Sequence, residues 1–538
     1  MSAILTLDRL GVRLPPGADR DHALEDVSLE IGAGEILCVV GESGSGKSMT
    51  ANAVMRLLPV GVAIDAGRVL FEGRDLVAAD EAEMRRIRGA GIAMIFQEPM
   101  TALNPLRTVG DQIGEMFAIH TDLTKAAIRA RTLELLEEVR IPDPVLASRA
   151  YPHELSGGQR QRAMIAMALA LDPKVLIADE PTTALDVTTQ AQILALIRDL
   201  QQRKGTAVLF ITHDFGVVAE IADRVAVMQH GRVVEQGSAD EVLQRPRHDY
   251  TRQLIAAVPP LAAPPPRPLA ADAVLTLAHV SKTYRSGGFL GRGARVTHAV
   301  KDLSLALPRG GTLGIVGESG SGKSTLARCI VRLLDPDTGE VMLDGTDLAK
   351  LPRAEMRQRT RHIQMVFQDP FASLNPRRRA GELVAQGPIV HGTSRAEANA
   401  KARELFQLVG LDPASVDRFP HEFSGGQRQR IGLARALALQ PKVLVADEPV
   451  SALDVSVQAQ VLKLLEELRR RFGLSIVFIT HDLRVAAQIC DLVAVMKDGE
   501  VVEHGPAGEV FGHPRHPYTQ ALLASIPGRE FGIARAAS

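Results

Sequence analysis

The sequence predicts an α/β fold built twice: two tandem domains, each a mainly parallel sheet core carrying a helical lobe. Three observations carry this expectation. A glycine-rich octapeptide, Gly41-Glu-Ser-Gly-Ser-Gly46-Lys47-Ser48, returns as Gly317-Glu-Ser-Gly-Ser-Gly322-Lys323-Ser324. The segments that follow it also return. Leu155-Ser-Gly-Gly-Gln159 repeats as Phe423-Ser-Gly-Gly-Gln427, Asp179-Glu180 as Asp447-Glu448, and His213 as His481, each 268 positions on (481 minus 213). Finally, short apolar runs alternate with helical patterns, as in a parallel sheet covered on both faces. A chain of 538 residues is too long for one core and suits two.

The elements can be read in order. Leu5 to Val12 and Leu275 to Thr283 alternate in polarity and read as strands. The apolar run Ile36-Leu-Cys-Val-Val40 enters the first glycine loop, and a helix is expected from the loop to about Leu58. Residues 101–170 are rich in Ala, Leu, Glu and Arg at helical spacing and predict a separate helical lobe, ending in the Leu155 segment and the helix after it. Val175 to Ala178 and Val208 to Thr212 are again strands. Residues 259–273, rich in Pro and Ala, read as a linker between a first domain at 1–258 and a second at 274–538. Extended, they reach roughly 45 Å at about 3.1 Å per residue. The offset between copies is 276 at the lysines (323 minus 47), 271 at Gln368 and Gln97, and 268 from Leu155 onward, so the length differences precede that segment.

Composition narrows the function. With 46% hydrophobic and 23% charged residues the chain is expected to fold, and a net charge of -1 argues against a general nucleic-acid binder, so no nucleic-acid partner is expected. Cys38, Cys329 and Cys490 are scattered, which fits neither a disulfide framework, a zinc site nor an iron–sulfur cluster; they read as small buried apolar residues. Neither a signal peptide nor an apolar run near 18 residues is evident, so any membrane role is expected to be peripheral.

The octapeptide, following a strand and opening a helix, is a phosphate cradle. Its glycines let backbone N–H groups turn onto anionic oxygens, the lysine reaches the terminal phosphates and the serine hydroxyl binds Mg²⁺. Gly41, Glu42, Ser43, Gly44, Ser45, Gly46, Lys47 and Ser48 form the first loop, and Gly317, Glu318, Ser319, Gly320, Ser321, Gly322, Lys323 and Ser324 the second. Asp179 and Asp447 each end an apolar strand, where a carboxylate can hold the metal. Glu180 and Glu448 are next in line to orient and deprotonate the attacking water. An acidic pair alone would read as a surface strand cap; the upstream loops favour the catalytic reading.

Together, the loops and the two Ser-Gly-Gly segments resemble the ATP-binding cassette (ABC) ATPases, and the similarity covers both halves almost end to end. Ser156, Gly157, Gly158 and Gln159, like Ser424, Gly425, Gly426 and Gln427, open a helix and offer a second anion site. The resemblance implies that each binds the γ-phosphate of ATP held by the other half, with the halves docked head to tail. One composite site would join Lys47, Ser48, Gln97, Asp179, Glu180 and His213 to Ser424, Gly425 and Gly426. The other would join Lys323, Ser324, Gln368, Asp447, Glu448 and His481 to Ser156, Gly157 and Gly158. Gln97 and Gln368 would sense the γ-phosphate and Mg²⁺, His213 and His481 would be the switch histidines, and Ala184-Leu-Asp186 and Ala452-Leu-Asp454 would link the two sites. Neither half lacks a catalytic residue, so both are expected to hydrolyse ATP. The copies differ where the family stacks an aromatic ring on adenine: Tyr284 in the second half, Leu14 in the first. Stacking worth roughly 1–3 kcal/mol implies weaker binding at the Lys47 site.

The segments Pro246 to Pro259 and Pro514 to Pro527 are copies of one element. They resemble the C-terminal extension of ATPases serving bacterial dipeptide, oligopeptide, glutathione and nickel importers; the residues alone show a packing helix with Leu254 and Ile255, or Leu522 and Leu523, facing a core. Met100-Thr-Ala-Leu-Asn-Pro105 and Phe371-Ala-Ser-Leu-Asn-Pro376 strengthen that likeness. It implies an ATPase peripheral to the cytoplasmic face of the bacterial inner membrane. Its cofactors would be ATP and Mg²⁺, its partners two membrane permease subunits and, through the complex, a periplasmic solute-binding protein. Met100, Leu103, Phe371 and Leu374 are candidates for a permease-gripping groove or, equally, for hinge packing. Two alternatives stand beside import. Export would make the tails unexpected, and a double-cassette ATPase acting on ribosomes or DNA would call for a long charged linker or large insertions. The cargo is not written in the chain.

Overall fold

The computed structural model describes residues 3–97, 102–183, 185–286, 295–451 and 453–529. The chain divides into two compact units, Met1–Leu185 with Thr189–Val258 and Pro527–Ser538, and Asp186–Thr188 with Pro259–Ile526.

In the first unit ten strands form two sheets: β1 (Ala3–Arg13), β2 (His22–Gly32), β3 (Ile36–Val40), β4 (Ala63–Phe71), β5 (Arg74–Asp75), β6 (Ile92–Ile95), β7 (Val175–Asp179), β8 (Ala207–Thr212), β9 (Arg224–Gln229) and β10 (Arg232–Ser238). The larger sheet runs β6-β7-β8-β3-β9-β10, parallel except for β10. Its central strands β3, β7 and β8 are buried at every position because both faces are covered, and they are apolar up to Asp179 and Thr212 at the ends of β7 and β8. Cys38, Val40, Ala178 and Phe210 point to one core, whereas Val39, Ile177 and Ile211 point to the other. The second core lies against a four-stranded antiparallel sheet, β2-β1-β4-β5. Each unit thus adds an antiparallel sheet to the expected, mainly parallel core sheet. The alternation of Leu5 to Val12 was the trace of this sheet, since strands covered on one face pair as hairpins and meanders.

The second unit repeats the plan with β11 (Ala273–Ser286), β12 (Arg295–Pro308), β13 (Thr312–Val316), β14 (Thr338–Leu343), β15 (Thr346–Asp347), β16 (Ile363–Val366), β17 (Val443–Asp447), β18 (Ser475–Thr480), β19 (Leu492–Lys497) and β20 (Glu500–Pro506). Their orders are β12-β11-β14-β15 and β16-β17-β18-β13-β19-β20.

The expected helical segment comprises Val109–His120, Lys125–Glu138, Pro144–Arg149 and Gly157–Leu169. Thr108, Thr124, Asp143 and Ser156 cap them, each side chain accepting a hydrogen bond from an N–H of the first turn. Among the described residues the lobe shares its core with the sheet. Ile113, Phe117 and Leu136 join Cys38 and Phe210 in a single apolar cluster, so the lobe is anchored on the sheet. The helix after the first glycine loop stops at Met55, short of Leu58, because Arg56 turns left-handed at φ 50°.

The proline-rich stretch packs on the second unit. Gln488 donates to the carbonyls of Pro260 (2.8 Å) and Ala262 (3.2 Å), and Arg267 pairs with Asp491 (2.6 Å). All three cysteines are buried and free. No helix among the described residues is long and apolar enough to cross a membrane.

Candidate active site

Each phosphate loop leaves the end of a central strand, and its glycines are required sterically. Gly41 has φ 153°, and a Cβ there would lie 2.3 Å from the Met228 carbonyl; at Gly46, with φ 107°, it would meet Leu24 at 2.7 Å. In the second loop the corresponding distances are 2.2 Å from Met496 at Gly317 and 2.0 Å from the Ala299 carbonyl at Gly322. Gly46 and Gly322 are helix N-caps without a side-chain cap, which leaves the first-turn N–H groups to an anion. The lysines fold back over their loops. Lys47 Nζ donates to the carbonyls of Gly41 (2.7 Å) and Glu42 (2.9 Å), and Lys323 Nζ to those of Gly317 (2.8 Å) and Glu318 (2.7 Å). Burial pushes the Lys323 ammonium below its ordinary value against the pull of Glu448. A buried ammonium on neutral carbonyls suits an incoming phosphate.

At the ends of β7 and β17 the loop serines meet the aspartates: Ser48 Oγ donates to Asp179 (3.0 Å) and Ser324 Oγ to Asp447 (3.1 Å). Burial raises Asp179 to about 6, with Ser48 pulling the other way, and raises Asp447 in the same manner. A hydroxyl and a buried carboxylate converging on one point fit Mg²⁺, which takes one or two carboxylates and completes its shell with phosphate and water. A divalent cation would restore the carboxylates' ionised form.

The raised value carries a stability consequence. The folded state keeps a proton on Asp179 between its ordinary 3.8 and about 6, so stability falls as pH rises through that window and stays lower above it. Asp179→Asn should therefore stabilise the nucleotide-free, metal-free protein at pH 7.5 by about 1–3 kcal/mol. Calorimetry checks this; a lower melting temperature would refute it.

Glu180 and Glu448 sit in the left-handed region, φ 46° and 47°, with their N–H groups held by the carbonyls of Ile211 (3.0 Å) and Ile479 (2.9 Å). Such strain persists only where surrounding structure imposes it. The Glu180 carboxylate accepts from Gln97 Nε2 (3.0 Å) and Thr183 Oγ1 (3.0 Å) and lies 3.2 Å from His213 Nδ1. Glu448 accepts from Gln368 Nε2 (2.9 Å) and lies 3.2 Å from His481 Nδ1. Burial works to raise Glu180, but the hydrogen bond and charge of His213 outweigh it and bring the group down to about 2. Glu448 is lowered by the same balance, and Glu448 in turn raises His481 against the effect of burial.

Within each unit the fold thus gathers the lysine, serine, aspartate, glutamate, glutamine and histidine read from sequence. The Ser-Gly-Gly segments are bonded to their own helix starts. Ser156 accepts from Gln159 N (3.3 Å) while Gln159 Oε1 accepts from Ser156 N (2.9 Å), and Ser424 and Gln427 do the same. Nothing lies within 4 Å of where a Cβ would stand on Gly157 or Gly425, so these glycines leave bare backbone rather than relieve crowding.

Tyr284, 39% exposed, lines an open pocket of about 690 Å³ with Gly320, Lys323, Ser324, Gln368 and Glu448. Leu14 instead packs against the core. ATP should bind the Lys47 site more weakly than the Lys323 site, measured as the affinity left in Lys323→Ala and Lys47→Ala variants; equal values would remove the idea. Leu103 and Leu374 are buried, which fits hinge packing and not a gripping groove. Met100, Ala184, Ala452 and the side chain of Phe371 lie outside the described residues.

Some neighbours carried no sequence signal. Thr183 is one, and Arg20, whose Nη2 donates to the Gly44 carbonyl (2.7 Å), is another. Tyr250 and Tyr518, whose hydroxyls reach the second residue of each loop, had one: they occupy the same place in both tail copies.

A doubled phosphate loop, each copy backed by a serine–aspartate pair and a glutamate held by glutamine and histidine, defines a tandem nucleotide hydrolase. The ABC transporter family matches residues 24–183 and 300–451, and the oligopeptide/dipeptide transporter C-terminal region matches residues 234–282 and 502–535. The chain belongs to the ABC transporter family and is an ATP-binding, ATP-hydrolysing subunit of that family. It is 47% identical over 527 residues to the peptidoglycan transport ATP-binding protein YejF of Agrobacterium fabrum, covering 97% of this chain and 96% of that one. It is 46% identical over 557 residues to the glutathione import ATP-binding protein GsiA of Salmonella paratyphi A, covering 97% and 89%.

Proposed function

We propose that this chain powers a bacterial importer for peptides or related small solutes, a class in which glutathione, opines and metal chelates also fall. The observation that carries the reading is the coexistence of two copies of the phosphate-loop, carboxylate and histidine motifs with two copies of the oligopeptide-type C-terminal region. The permease subunits and a periplasmic solute-binding protein complete the proposal, with the chain peripheral to the cytoplasmic face of the inner membrane.

Lys47 and Lys323 would take the charge of the terminal phosphates. Ser48 with Asp179, and Ser324 with Asp447, would hold Mg²⁺, with Gln97 and Gln368 beside it; the ion supplies charge stabilisation to the phosphoryl oxygens. Glu180 and Glu448 would accept the proton of the attacking water. Held by His213, Glu180 is too acidic to be an effective base. A γ-phosphate that draws the imidazole away would remove the strongest pull on the carboxylate, and burial would then raise its proton affinity. Substrate itself would switch on the base.

Differential affinity of nucleotide for open and closed states would do the mechanical work. Pairing of each loop with the other half's Ser-Gly-Gly segment is part of the proposal, and two halves expressed separately should hydrolyse ATP slowly alone and recover on mixing; full activity in one half would contradict it. The test of import is copurification of the tagged chain from mild-detergent extracts. Two multi-span permeases with a solute-binding protein would support it, whereas ribosomal proteins would favour the double-cassette alternative.

A further inference from the structure

The C-terminal extensions are bonded to the phosphate loops. In the first unit, Glu235 of β10 accepts from the N–H groups of Arg247 (2.7 Å) and His248 (3.1 Å), fixing the entry to helix Asp249–Ala256. His248 Nδ1 caps that helix by accepting from Tyr250 N (3.2 Å). So held, the buried Tyr250 brings its hydroxyl to Glu42, accepting from the backbone N–H at 3.1 Å and donating to the carboxylate at 3.3 Å. The second unit repeats each step. Glu503 accepts from Arg515 N (2.8 Å) and His516 N (3.1 Å), His516 Nδ1 from Tyr518 N (3.1 Å), and the Tyr518 hydroxyl from Glu318 N (3.3 Å).

What these hydroxyls hold matters. The peptide unit between Gly41 and Glu42 gives its N–H to Tyr250 and its carbonyl to Lys47 Nζ, and the unit between Gly317 and Glu318 is gripped alike by Tyr518 and Lys323. One peptide plane therefore connects the tail tyrosine to the lysine ammonium. A buried tyrosine hydroxyl needs some partner. In both copies that partner is the N–H of the same loop residue.

We propose that Tyr250 and Tyr518 are positioning residues of the two nucleotide sites: each hydroxyl fixes the first peptide plane of its loop and, through it, the ammonium that meets the phosphates. The inference rests on reading the loops as ATP sites, which ATP binding by the unaltered chain tests separately.

The experiment uses the full chain carrying Tyr250→Phe and Tyr518→Phe together, which removes two hydroxyls and keeps both rings. The KM for ATP should rise about three- to tenfold, as for loss of one hydrogen bond per site, with kcat changed less than about twofold. In a Lys47→Ala, Lys323→Ala background, the same pair should leave the affinity for a fluorescent ATP analogue nearly unchanged, because the hydroxyls would then have no ammonium to position. An unchanged KM with a lower melting temperature would overturn the proposal, leaving a purely structural role. Equal fold losses with and without the lysines would overturn it too. If the double variant folds poorly, Tyr518→Phe alone, read against Lys323→Ala, gives the same comparison at one site.

Discussion

Glu180→Gln or Glu448→Gln should slow hydrolysis at the altered site by about 10²–10⁴-fold, the usual contribution of a positioned general base, while ATP still binds. The substitution is nearly isosteric, the left-handed backbone at φ 46° or 47° is unchanged, and the amide oxygen can still accept from Gln97 or Gln368. What disappears is the negative charge and the proton acceptor. A second signature separates this from misfolding. Glu448 raises His481 by hydrogen bond and charge, so in Glu448→Gln the His481 imidazolium should deprotonate at lower pH than in the unaltered protein, which NMR titration of the ring can read. Single-turnover hydrolysis with nucleotide binding checks the main effect. Unaltered turnover in both variants would remove these glutamates from the chemistry.

The other large effect is expected at Gly322. Its φ of 103° is costly for any other residue, and a Cβ would lie 2.0 Å from the Ala299 carbonyl, which belongs to a strand and cannot step aside. Gly322→Ala should destabilise the second unit by about 3–5 kcal/mol, in the range of severe substitutions, and abolish ATP binding there. Gly320→Ala is the control. It shares the positive φ, at 84°, but its Cβ would meet nothing within 4 Å, so the cost should stay near about 1–2 kcal/mol. Calorimetry of the two variants decides; equal, small losses would mean that the loop relaxes and that the clash is not what demands glycine.

Local sequence was informative where one residue type answers one physical need. The octapeptides revealed the phosphate loops because only glycine tolerates both the torsions and the crowding at Gly41 and Gly317. The apolar runs at Ile36 and Val175 revealed central strands because a strand covered on both faces has no polar position to show. The repeat revealed two domains, and the tail copies revealed an element worth tracing. Sequence also placed Asp179, Glu180 and His213 on the ends of strands, but spacing along a chain carries no distances across it.

Tertiary structure decided the rest. The antiparallel sheet was hidden because the partner of an alternating strand is chosen by what covers its other face, and Leu5 to Val12 says nothing about pairing with both β2 and β4. The lobe's dependence on the sheet was hidden because a helical stripe reports that it must be buried, not against what. The charge states are collective. Asp179 and Glu180 are neighbours in sequence, yet burial moves one up to about 6 while His213, 33 positions on (213 minus 180), brings the other down to about 2. The grip of Tyr250 on Glu42 spans 208 positions. Composition and motif alone determined what chemistry this protein carries out and that it is built twice. Which groups touch, and in which protonation state they wait, followed only from folding, because hydrogen bonds and desolvation act through space.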